Sequence, residues 1–179
     1  INVPMLCIAN SAAIMDYPKT HFDAVRPGII LYGCYPSEEV DKTRLDLKPV
    51  MSVKAYIIHI KTVPAGTSIS YGRRFIADRE SKIATISIGY ADGYSRTLTG
   101  KAEVLVHGHR VPVVGSICMD QCMIDVTDVP DVKVGDEVIV MGSDGKNTIL
   151  ADDIAKATGT INYEIICAFG QRLPKVYVR

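Results

Sequence analysis

Two tyrosines stand among small residues in a pattern that frees a phenol for chemistry. They occur in Ser70-Tyr71-Gly72 and in Gly89-Tyr90-Ala91-Asp92-Gly93, with Tyr94 directly after. A tyrosine beside glycine at a strand end presents its hydroxyl to open space. An ordinary phenol ionises near pH ~10, so proton abstraction near neutrality needs positive charge or hydrogen bonds around it. Arg73, Arg74 and Arg96 are the cations nearby in sequence. The competing reading of each Tyr-Gly pair is aromatic packing at a turn. A second constellation is Ser11 with the later run Arg26-Pro27-Gly28-Ile29. A hydroxyl at a strand-to-helix turn, together with backbone N–H groups, suits an anion, and Gly28 lets backbone approach a ligand closely. A capping serine and a loop glycine explain the same residues. Arg26 is either a solvated surface cation or a permanent donor. A guanidinium keeps its proton, so beside a ring nitrogen it can only donate and leave that nitrogen unprotonated. A third set, Cys118 and Cys122 with His107 and His109, matches the ligand types of zinc, against core cysteines and a His-Gly-His turn tip.

These residues need elements to position them. Residues 3–9 form an apolar run that predicts a strand. Asn10-Ser11 follows as a turn, with Ser11 placed to cap a short helix through Met15. Pro18 interrupts that helix, and residues 21–25 fit a further helical turn. Residues 29–32 then predict another short strand. Strand–helix–strand is the unit of a parallel sheet with helical crossovers, and a full barrel of eight such units needs far more chain. From Lys48 the pattern changes. Residues 50–61 alternate for much of their length, as a half-buried strand does. Residues 82–88, two strands around His107-Gly108-His109, residues 122–126 and the run EVIVMG after Asp136 continue the series. Residues 150–157 and 162–168 read as helices, and a closing strand starts at Pro174. The fold class is therefore mainly β. A small β-barrel or sandwich is preceded by the last strand–helix–strand of an incomplete (β/α)8 barrel, with residues 1–47 and 48–179 as the two domains.

Composition narrows the setting. In 179 residues, Lys+Arg and Asp+Glu both number 20, so the formal charge is +0 and nothing points to nucleic acid. No apolar run approaches the ~20 residues of a membrane span. Five cysteines at irregular spacing are not a secreted disulfide framework, and reduced thiols in a cytoplasmic protein are the simpler reading. The opening INVPMLCIANSAA is no signal peptide and lacks an initiator Met, which suggests a piece excised from a longer protein.

Taken in order, six motifs resemble the alanine racemase family over almost the whole chain. They are Asn10-Ser11-Ala12-Ala13; Arg26-Pro27-Gly28-Ile29 with Leu31-Tyr32-Gly33; Ser70-Tyr71-Gly72; Gly89-Tyr90-Ala91-Asp92-Gly93; Ile117-Cys118-Met119-Asp120-Gln121; and Ile161-Asn162-Tyr163-Glu164. The resemblance implies a pyridoxal 5'-phosphate enzyme that interconverts L- and D-alanine with two bases and supplies D-alanine for peptidoglycan. It also implies a head-to-tail homodimer in which the β domain of one subunit completes the barrel site of the other. It places Ser11, the Gly28 and Ile29 backbone and Tyr163 at the cofactor phosphate, and Arg26 at the pyridine nitrogen. Tyr71 becomes the base on the L-face, the Met119 backbone a substrate-carboxylate donor, and Tyr90, Arg96 and Ile161 the lining of the access channel. The family's cofactor-linking lysine has no counterpart here, so the chain alone is expected to be inactive. Ser116 stands where many relatives carry an arginine, which puts the channel's charge in question. A related decarboxylase, a serine racemase and a non-catalytic β dimerisation module are the alternatives. The decarboxylase would place an acidic residue, not Arg26, at the ring nitrogen.

Overall fold

The structure is a computed structural model and describes residues 3–178. The chain divides into two compact units, Ile1–Met51 and Ser52–Arg179.

Among the described residues of the first unit the one α-helix is α1, Ser11–Asp16. Asn10 caps it, its side chain accepting from the Ala13 amide at 3.0 Å. Ser11 is thus the first helical residue and not the cap, because Asn10 already occupies the extended cap position. The expected strand over 3–9 does not form. One parallel bridge joins Ala9 to Val25, and the Arg26 amide donates to Ala9 O at 2.8 Å. A ladder needs successive rungs, and Gly28, the next donor on that side, gives its amide to Ser11 Oγ and not to a backbone carbonyl. Val25 therefore lies in this bridge and not in a helical turn, and the turn falls at Phe22-Asp23. Ile29–Tyr32, expected as a strand, winds into a 3-10 helix. A four-residue apolar run reads alike in either state.

The second unit contains a closed antiparallel barrel. Its strands are β1 (Val53–Val63), β4 (Ser81–Ile86), β5 (Glu103–Val106), β6 (His109–Val114), β7 (Cys122–Asp125) and β8 (Glu137–Ser143); a short hairpin of β2 (Ser68–Ile69) and β3 (Phe75–Ile76) lies between β1 and β4 in sequence. The order β1-β4-β7-β6-β5-β8 closes because β8 also pairs with β1. One long strand makes closure possible. The first part of β1 pairs with β8, the rest pairs with β4, and a bulge between Ile57 and His59 marks the change. Two-residue β9 (Thr148–Ile149) extends β8 beyond the ring. The β5–β6 connection is tight, with His107 at φ 49° and Gly108 at φ 81°, the double positive φ of the turn that suits hairpin twist.

Register assigns the faces. Ile57 opposite Ile86, Ala84 opposite Ile124, and Ile124 opposite Val113 point into the barrel, and all are buried. After the bulge, Lys61–Ile83, Thr85–Met123 and Met123–Val114 share the outer face. There a second small core forms: Val63, Ile83 and Val114 pack with Ile69 and Ala77, flanked by Phe75 and Met123. It pins the β2–β3 hairpin to the barrel wall, each fully buried aliphatic side chain contributing about 1.5–3 kcal/mol. Helices α2 (Ala151–Thr158) and α3 (Asn162–Ala168) follow, within a residue of the expected bounds. The closing strand expected from Pro174 is absent. Val176, Tyr177 and Val178 are 80–92% exposed, and strand propensity without a pairing edge does not make a strand. Among the described residues no helix is long and apolar enough to cross a membrane.

Candidate active site

Tyr71 sits at the tip of the β2–β3 hairpin. The hairpin's apolar feet are held in the outer core, and its tip is forced into the open, leaving Tyr71 77% exposed. The tip is tightly wound: Ser70, Gly72 and Arg73 have φ of 64°, 74° and 49°. Tyr71 borders an open cleft of about 700 Å³ whose wall includes Tyr90, Arg96, Ser116 and Met119.

Two loops build that wall and are stitched by backbone. The Tyr90 amide donates to Cys118 O and the Ala91 amide to Met119 O, each at 3.0 Å. Gly89 permits this approach, since a Cβ there would lie 2.3 Å from Cys118 O and 2.4 Å from Met119 O. Asp92 locks the first loop: its buried carboxylate accepts from the Gly89 amide at 2.9 Å. Arg172 reaches Asp92 at 3.3 Å through Nε and Asp120 at 2.5 Å through Nη2, tying both loops to the chain's last segment. Its hydrogen bond to Asp120 raises the guanidinium's already high pKa further.

The cleft thus gathers Tyr71, Tyr90, Arg96 and Met119 from the expected set. Ile161 and Tyr163 are in the same unit but are not part of this wall. Tyr163 lies in the first turn of α3, and partial burial raises its pKa. In the other unit, Ser11, Arg26, Gly28 and Ile29 form a local group. The Gly28 amide donates to Ser11 Oγ at 2.9 Å, Ser11 and Ile29 are buried, and Arg26 Nη2 donates to Ile8 O at 3.3 Å. Among the described residues no group of three or more His, Cys, Asp or Glu is arranged to hold a metal ion. His107 instead pairs with Asp136 at 2.9 Å, and Cys122 is a core thiol whose burial pushes its pKa up to about 12. Sequence reasoning missed Arg172 as part of this site. It is an isolated arginine 52 residues from Asp120, with no local signal.

The match of residues 50–177 to the alanine racemase C-terminal domain decides the family. The chain belongs to the alanine racemase family. Residues 1–36 match the alanine racemase N-terminal domain. Among curated relatives, alanine racemase of Clostridium novyi is 59% identical over the whole chain, which spans only 46% of that protein. Among solved structures, alanine racemase from Bacillus anthracis with bound L-Ala-P superposes with a TM-score of 0.94 at 41% identity, over 100% of this chain and 46% of that one. Alanine racemase from Bartonella henselae with covalently bound pyridoxal phosphate gives 0.87 at 35% identity, over 99% and 48%. The chain therefore spans about half the length of the alanine racemases it matches.

Proposed function

We propose that this chain is the C-terminal part of a pyridoxal-phosphate-dependent racemase that interconverts L- and D-alanine. The observation that carries the reading is the exposed Tyr71 phenol at a tightly wound hairpin tip, on the rim of a cleft walled by Tyr90, Arg96 and Met119, in a chain of this family. Residues 1–47 are then the end of the cofactor-bearing barrel and residues 48–179 the domain that completes a partner subunit's site in a head-to-tail homodimer.

The donor chemistry present fits the cofactor. Ser11 Oγ accepts from Gly28 and keeps its own proton to donate, which suits a phosphate oxygen. With the Gly28 and Ile29 backbone and Tyr163, it would hold the phosphate. Arg26, a cation that cannot give up its proton, would donate to the pyridine nitrogen. When bound, the cofactor supplies an electron sink that acidifies the substrate α-hydrogen. Tyr71 takes the α-proton from the L-face and returns one there in the reverse direction. The Met119 amide binds the substrate carboxylate, while Tyr90, Arg96 and Ile161 line the path from solvent. The second base and the cofactor-linking lysine belong to the rest of the full-length protein. Its product, D-alanine, would serve peptidoglycan synthesis in the cytoplasm.

The full-length protein loaded with pyridoxal phosphate is expected to racemise L-alanine, followed by optical rotation or chiral chromatography. Carbon dioxide release from amino acids without racemisation would replace this reading with a decarboxylase. The 179-residue chain alone is expected to turn over neither enantiomer.

A further inference from the structure

Ser70 has φ 64° and ψ −177°. That region is all but reserved for glycine, and a residue with a Cβ persists there only when its surroundings over-determine it. The surroundings are on view. Ser70 Oγ donates to Ser116 O at 2.7 Å, and Ser116 Oγ donates back to Tyr71 O at 2.9 Å. Ser116 is 3% exposed, so water does not compete for these bonds. The Cys118 thiol also donates to Ser116 O, at 3.6 Å. The two segments touch through backbone. Gly115, at φ 71°, has no room for a side chain, since a Cβ would lie 2.7 Å from both Ile69 O and Ser70 Cβ.

We propose that Ser70 and Ser116 are positioning residues for Tyr71, forming a reciprocal pair of hydroxyl-to-backbone hydrogen bonds that holds the hairpin tip in one strained shape. The catalytic consequence rests on the reading of Tyr71 as a proton acceptor; the latch itself does not. Each hydroxyl fixes the other segment's backbone. Ser70 sets the strand end that carries Ser116, and Ser116 sets the peptide that follows Tyr71. Without the latch, Ser70 is free to leave its costly conformation, and the peptide bearing the phenol turns with it. The sequence placed Ser116 among residues of the access channel. The structure adds that its hydroxyl donates to Tyr71 O, so it bears on the placement of the base as well as lining the cleft.

The test uses the full-length protein with Ser116→Ala, Ser116→Thr and Ser70→Gly. Amide hydrogen exchange of residues 71–74 reads the latch without reference to activity. Solvent exchange of the α-hydrogen of L-alanine and of D-alanine in D2O reads each face separately. In Ser116→Ala, amide exchange at 71–74 is expected to rise about tenfold or more, because a local opening loses its restraint. L-alanine α-exchange should fall roughly ten- to a hundredfold, while D-alanine exchange changes little. Ser116→Thr keeps the hydroxyl and should restore both. Ser70→Gly removes strain and hydroxyl together, so it should lose L-side exchange without melting earlier, a combination that a merely structural role does not give. Unchanged amide exchange in Ser116→Ala would overturn the latch, and equal slowing on both faces would overturn its link to Tyr71. Absence of α-exchange in the unsubstituted protein would overturn the racemase reading, while the amide result still decides the latch.

Discussion

The two units use apolar sequence in opposite ways. In Ser52–Arg179 each of the six barrel strands pairs with a neighbour on both sides, and Ile57, Ile86 and Ile124 disappear into the ring. In Ile1–Met51 a comparable apolar run makes a single bridge at Ala9, and Met5, Leu6 and Ile8 remain 61%, 45% and 58% exposed. Apolar character alone does not bury a strand. What buries it is a partner edge within reach, which the barrel supplies from its own long β1. The same contrast separates two kinds of site. The cleft joins segments far apart in sequence, as Ser116 and Tyr71 are at 45 positions, whereas the Ser11–Gly28 contact spans 17.

The largest expected effect breaks this comparison at its strongest point. In urea unfolding of the 179-residue chain, Leu105→Ala, in a barrel side chain 1% exposed, should cost about 2–5 kcal/mol, whereas Leu6→Ala in the same chain should stay within about 0.5 kcal/mol. Similar losses at the two positions would erase the distinction. Next, Gly89→Ala should cost about 1–3 kcal/mol by thermal melting, because its methyl meets the Cys118 and Met119 carbonyls. It should also reduce racemisation by the full-length protein by parting the two loops. Arg172→Gln is expected to melt lower than the unsubstituted protein but higher than Gly89→Ala. It strips the cation from buried Asp92 and leaves the Gly89 amide and the loop-to-loop backbone bonds in place.

A last effect, confined to alkaline conditions, is a slope with pH. Burial raises the Cys122 thiol from 9.0 to about 12, and burial likewise raises the Tyr94 phenol, whose hydroxyl has no partner among the described residues. Between these values the unfolded thiol has lost its proton while the folded one keeps it, so folding is linked to proton retention. Stability is therefore full below pH 9.0 and falls as pH rises toward about 12. Cys122→Ala should flatten that alkaline decline in denaturant midpoints. An unchanged slope would remove the thiol from the account.

The barrel was largely legible because its signals are local. His107-Gly108 announced a tight turn between two alternating runs, and both later helices fell within a residue of expectation. The β2–β3 hairpin was not legible, since strands of two residues carry no period, yet it is the element that places Tyr71. The bulge after Ile57 interrupts β1's alternation and hides the change of face that creates the outer core. Of the candidate site, the cleft residues Tyr71, Tyr90, Arg96 and Met119 were legible as residue types in family order. Its supports were not, because Ser70–Ser116 and Asp120–Arg172 join positions 46 and 52 apart, and only the folded chain brings them together.

The central claim is that Tyr71 exchanges the proton on the L-face of alanine. Because the equilibrium between enantiomers ties the forward and reverse kcat/KM values together, the decisive measurement is solvent exchange of the α-hydrogen in D2O by the full-length protein carrying Tyr71→Phe. The account predicts that α-deuterium incorporation into L-alanine collapses while incorporation into D-alanine persists without racemisation. Equal loss from both enantiomers, or undiminished exchange from L-alanine, would contradict it.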